Sequence, residues 1–101
     1  MHRRVEAFDS VFDALADTPA GAANMTARAD LLLAIRERVK AWQAKGGLTQ
    51  EEVAVRLGVT RPRLNDLMRG KLDKFSLDAL VNIAAAAGYR LHIALEDVKA
   101  A

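Results

Sequence analysis

Residues 48–70, LTQEEVAVRLGVTRPRLNDLMRG, constrain the fold of this chain more than any other stretch. Thr49 and Thr60 stand where helices begin, and Gly58 lies between them. Thr49-Gln50-Glu51-Glu52 fits a capping box, in which hydroxyl and carboxylate each accept the other residue's backbone N–H. Glu52 and Arg56 are four apart in the favourable order. Val53, Ala54 and Leu57 share one face, and Ala54 is small enough for a second helix to cross closely. Gly58 sits where a positive φ is needed, and glycine adopts one at least cost. Val59 anchors the turn. Thr60 caps the next helix, and Pro62 falls in its first turn, where no helical N–H is lost. Leu64 and Leu67 face inward. The spacing therefore predicts two short helices joined by a tight turn.

Arg61, Arg63, Asn65 and Asp66 remain outward at the start of the second helix. Arginine can bond guanine O6 and N7 in a bidentate manner, and asparagine can do the same to adenine N6 and N7. The N-terminal end of such a helix is the part that comes within reach of base edges. The expected base-facing set is Thr60, Arg61, Arg63, Asn65 and Asp66. Thr49 and Gln50 open the preceding helix, whose free N–H groups and dipole favour a phosphate. Arg69, Lys71 and Lys74 are placed to hold the flanking backbone. From Arg56 to Lys74 there are six basic and two acidic residues, against a net charge of only +2 for the whole chain. A local basic cluster is the electrostatic footprint of a nucleic-acid contact. An ordinary αα-hairpin with a charged exterior is the competing reading. It does not account for the alanine, glycine and apolar positions falling in register.

The rest of the chain frames this unit. At 101 residues it is one small domain with one core. Phe8, Val11, Phe12 and Leu15 suit a short amphipathic helix over 6–16. Thr18-Pro19 reads as a helix start, followed by an alanine-rich stretch to residue 26 whose helicity is left open by Gly21 and Asn24. Over 27–45, Leu32, Ile35, Val39 and Trp42 form one face, with Arg28, Arg36, Glu37, Arg38 and Lys40 outside it. Gly46-Gly47 ends that helix. Ser76 caps a further helix with Leu77, Leu80, Val81 and Ala84 as its buried stripe, and Gly88 stops it. Residues 89–95, YRLHIAL, change period: Tyr89, Leu91, Ile93 and Leu95 alternate with other residues as in a strand.

A single strand leaves its backbone groups unpaired. Pairing with its twin across a twofold axis is the simplest remedy, which makes Tyr89, Leu91, Ile93 and Leu95 the expected dimer interface. A tail folded against its own helices is the alternative. The expected division is an N-terminal extension (1–26), a DNA-binding unit (27–88) and a C-terminal strand and tail (89–101).

Taken together, residues 48–88 resemble the Xre/Cro-type helix-turn-helix family. More narrowly, RGKLDKFSLDALV (69–81), SVFDALAD (10–17) and ARADLLLAI (27–35) are similar to the HigA-like antitoxins of HigBA toxin–antitoxin modules. The resemblance implies an all-α, five-helix domain with a C-terminal β-strand for dimer pairing. It also implies a homodimer that binds a palindromic operator in double-stranded DNA and represses its own operon. Such a protein neutralises a RelE/HigB-like mRNA interferase encoded beside it. Gln50 matches the family's phosphate-clamping glutamine, and Pro62 stands where many relatives carry a polar reader. A solitary Xre-family regulator without a toxin partner shares the pattern. A third possibility is a protein-binding module that no longer reads DNA.

The sequence points away from other classes. There is no cysteine, so disulfide frameworks and thiolate metal sites are excluded and a reducing cytoplasm is the expected location. No stretch approaches the roughly twenty apolar residues that span a bilayer. His2 and His92 are too far apart in sequence to suggest a metal site, and no cofactor is expected. No phosphate-cradling glycine loop occurs, and catalysis is not expected.

Overall fold

The computed structural model describes residues 18–97. The helix expected over 6–16 lies outside them. Each of the four α-helices among the described residues begins on a hydroxyl. Thr18 Oγ1 accepts from the Gly21 N–H at 2.9 Å and opens α1, Pro19–Gly46. Thr49 Oγ1 accepts from Glu52 N–H at 3.1 Å, while Glu52 Oε1 accepts from Thr49 N–H at 2.8 Å, and α2, Gln50–Leu57, follows. Thr60 Oγ1 accepts from Arg63 N–H at 3.2 Å and starts α3, Arg61–Met68. Ser76 Oγ accepts from Ala79 N–H at 3.1 Å and starts α4, Leu77–Ala86. A short 3-10 turn, Leu72–Lys74, joins α3 to α4. The alanine-rich stretch is helical, so α1 runs through residues 26 and 27 without interruption.

Two left-handed glycines set the corners. Gly47, at φ 65°, closes α1, and its N–H reaches back to Trp42 O. Gly58, at φ 71°, closes α2 and turns the chain into α3. The core is a single cluster from all four helices. It joins Leu32, Ile35 and Val39 of α1 to Val53, Ala54 and Leu57 of α2, Leu64 and Leu67 of α3, Phe75, and Leu80, Ile83 and Ala84 of α4. Trp42, Val59 and Tyr89 pack on its rim. The long α1 lies chiefly against α4, and α2 and α3 pack on each other and on that pair.

Several expectations are corrected. The described residues contain four α-helices and no strand, so neither a five-helix domain nor a C-terminal strand is seen. The 89–95 alternation forms no ladder, because a strand needs a neighbour for its N–H and C=O groups and the described residues supply none. Tyr89 turns inward instead. Its hydroxyl donates to Ala34 O at 3.0 Å, and the Arg38 guanidinium lies 4.1 Å from its ring centroid. Leu91, Ile93 and Leu95 are exposed.

Arg28 was assigned to the polar side of its helix but is 2% exposed. It belongs to the same 4-3-4 spacing as Leu32, Ile35 and Val39, so geometry carries it into the core despite its charge. The expected Glu52–Arg56 pair does not form. Glu52 serves the cap, and the Arg56 guanidinium lies 4.9 Å from the Trp42 centroid.

Candidate nucleic-acid interface

Capping at Thr60 and burial of Leu64 and Leu67 fix which side of α3 faces outward. Arg61, Pro62 and Asn65 are exposed, and Arg69 continues the same face just past the helix end. Arg63 and Asp66 lie half-buried on its flanks. The expected base-facing set therefore divides. Arg61 and Asn65 stand clear on the outer face, with Thr60 exposed at its head.

Arg61 is held in place by the preceding helix. Its Nη2 donates to Gln50 Oε1 and its Nη1 to Glu51 Oε1, both at 3.2 Å. Gln50 and Glu51 are the first two residues of α2, and Arg61 is the first of α3, so the tight turn brings the two helix starts side by side. With its carbonyl oxygen accepting from Arg61, the Gln50 carboxamide keeps its N–H2 group as a donor. The three side chains form one polar unit at the mouth of the hairpin, with Thr49 exposed beside it. Glu51 adds a negative charge there that repels a phosphate.

Arg63 points elsewhere. Its Nη1 donates to Lys74 O at 3.3 Å, and its guanidinium sits 4.5 Å from the centroid of the buried Phe75 ring. Asp66 Oδ1 lies 3.7 Å from Lys71 Nζ. Both flanking residues thus already have partners within the chain. Lys74 and Arg69 are exposed, and Lys71 is half-buried. Together they form a cationic border beyond the far end of α3.

Three features of this region were not read from the sequence. The contact of Arg61 with Gln50 and Glu51 joins residues ten and eleven apart across the three-residue turn of Gly58, Val59 and Thr60, and no local pattern signals it. The Arg63–Phe75 stack depends on the 3-10 turn, for which 71–75 carries no simple periodic signal. The third is Arg36 of α1, half-buried, whose Nε–H is buried without a partner. Its Nη1 lies at the turn after α3, where it would be 3.5 Å from a Cβ on Gly70.

Among the described residues no group of three or more His, Asp or Glu side chains could hold a metal ion. No helix among them is long and apolar enough to cross a membrane. Comparison with curated proteins gives no match. Residues 14–96 match the family described as a helix-turn-helix domain. That span takes in all four helices and the polar unit at their exposed corner, so the chain belongs to the helix-turn-helix domain family, which points to a DNA-binding regulator.

Proposed function

We propose that the protein is a cytoplasmic, dimeric repressor that binds a palindromic operator upstream of its own gene. The observation that carries this reading is the exposed Arg61 and Asn65 on a capped helix, with Gln50 holding Arg61 in place. Arg61 reads guanine and Asn65 reads adenine in the major groove, with Thr60 beside them. Arg63 and Asp66 join the base contacts only by leaving Lys74 and Lys71. Thr49 and Gln50 bind one phosphate strand through the start of α2, and Arg69, Lys71 and Lys74 bind the other flank. Residues 27–88 are the DNA-binding unit, preceded by an extension and followed by a pairing tail.

Dimerisation goes through the tail. Leu91, Ile93 and Leu95 are exposed, the last at 92%, and burying them against a second copy removes apolar area from water. Tyr89, fixed to the core, anchors the base of that tail. Two copies related by a twofold axis then present two α3 helices to half-sites about one helical turn apart.

The narrower role is that of an antitoxin repressing its own operon and neutralising a RelE/HigB-like mRNA interferase. It is supported by the resemblance of RGKLDKFSLDALV and ARADLLLAI to HigA-like antitoxins. The alternative is a solitary Xre-family regulator, which the same DNA-facing geometry serves equally well. A footprint on the upstream region tests DNA binding: a protected palindrome is expected, and no protection at physiological salt refutes it. Co-expression with the adjacent small basic reading frame separates the two roles. Formation of a complex and rescue of growth support the antitoxin, and their absence leaves the regulator.

A further inference from the structure

The link between α3 and α4 is gripped by arginines from both sides. A three-residue 3-10 turn has few hydrogen bonds of its own. Its N–H groups are used locally, Lys74 N–H bonding Lys71 O at 3.0 Å and Phe75 N–H bonding Leu72 O at 3.1 Å. Three carbonyls are then taken by guanidinium groups. Arg28 Nη1, from inside the fold, donates to Leu72 O at 3.1 Å and Phe75 O at 3.3 Å. Arg63 Nη1, from the outside, donates to Lys74 O at 3.3 Å. Arg28 is itself oriented by Asn24, whose Oδ1 accepts from its Nε–H at 2.8 Å.

Stability alone is a poor account of Arg28. It occupies a position in the buried stripe of α1 that an apolar side chain could fill. Burying a guanidinium is costly, and replacing a buried charged group with a well-packed apolar one is often neutral or stabilising. Burial accordingly pushes the Arg28 guanidinium below its ordinary pKa, with the Asp73 carboxylate partly offsetting the shift. What an apolar residue cannot do is bind two carbonyls and fix the path of the chain between them.

That path carries Lys74, and Lys71 directly precedes it. We infer that Arg28 and Arg63 clamp the 72–75 turn so that Lys71 and Lys74 are held where the DNA backbone passes, which makes Arg28 a positioning residue for DNA binding. The inference rests on the DNA-binding reading above. It adds that part of the phosphate contact is set from α1, a helix outside the hairpin.

The test measures log Kobs against log salt for the full chain on a random-sequence duplex, with far-UV circular dichroism to check the fold. Each phosphate contact contributes roughly 0.9 to the slope. The double variant Lys71→Gln/Lys74→Gln is expected to lower the slope by about two. Arg28→Met removes a cation that is buried and meets no phosphate, yet it is expected to lower the slope by between about one and two. Adding the lysine changes to Arg28→Met should then bring the total fall to about two and no further. Amide exchange at Lys74 and Phe75 should speed up in Arg28→Met, in the absence of DNA. Arg28→Lys keeps the charge but loses the Nε–H through which Asn24 orients the side chain, and it carries the same test should the methionine variant fail to fold. A parental slope in the folded Arg28 variants, alongside a reduced slope in the lysine pair, overturns the clamp and leaves DNA binding standing. An unchanged slope in the lysine pair overturns the phosphate assignment and the clamp with it.

Discussion

Replacing Arg61 with alanine should separate DNA recognition from folding. The Arg61 side chain is 53% exposed and its partner Glu51 73%, at 3.2 Å. A pair this open to water and salt adds at most a few tenths of a kcal/mol to stability, so the thermal midpoint should hardly move. The loss on operator DNA is much larger. A bidentate guanine contact is worth about 1–3 kcal/mol of discrimination, and letting go of Glu51 costs the parent only a small part of that. Arg61→Ala should therefore weaken operator binding by roughly 5- to 150-fold at 25 °C. Fluorescence anisotropy on the footprinted operator and on a scrambled duplex, at one salt concentration, measures both. The scrambled duplex should lose little more than one charge's worth of affinity. An equal loss on the two duplexes would make Arg61 a phosphate contact, and no loss on either would remove it from the interface. Glu51→Gln should act in the opposite direction, tightening binding to both duplexes by freeing Arg61 and removing a like charge from the phosphates' path.

The remaining predictions probe the scaffold. Gly58→Ala places a Cβ that meets nothing within 4 Å, so only the φ of 71° is strained. About 1–2 kcal/mol should be lost, read as a drop of several degrees in the thermal midpoint, and an unchanged midpoint would show that the turn relaxes. Leu67→Ala empties a fully buried position beneath α3 and should cost about 2–5 kcal/mol in urea unfolding; a cost under about 1 kcal/mol would contradict its place in the core. A chain ending at Gly88 should scatter light as a monomer while the full chain scatters as a dimer, and equal masses would refute a role for the tail in pairing.

Local signals carried most of the fold. Thr49, Thr60 and Ser76 were readable as caps, and Gly58 as a turn, because each effect operates within four residues. Val53, Ala54, Leu57, Leu64 and Leu67 were readable as core because helical spacing puts them on one face. Arg28 was misplaced because residue type outweighed position, although its spacing from Leu32 was that of a core residue. The tail was misread for the opposite reason. Alternation of Leu91, Ile93 and Leu95 states which way side chains point in a strand but not what the backbone pairs with. At the start of α3, Arg61 and Asn65 stand outward as expected, while the stacking of Arg63 on Phe75 depends on a contact between residues twelve apart across an irregular turn.

The four hydroxyl starts have a consequence for the angular phase of the helices. One residue of slip turns a helix by about 100°. If α3 began one position early, Arg61 and Asn65 would swing off the outward side and Leu64 would take the bearing of Asn65. Thr60, by accepting the Arg63 amide, ties the first turn to one residue, and the same bond recurs at Thr18, Thr49 and Ser76. Each such bond is worth about 1 kcal/mol. Its larger effect is to fix the residue on which each rod starts, so that in α3 the cap and the buried leucines agree on which side chains are offered to the outside.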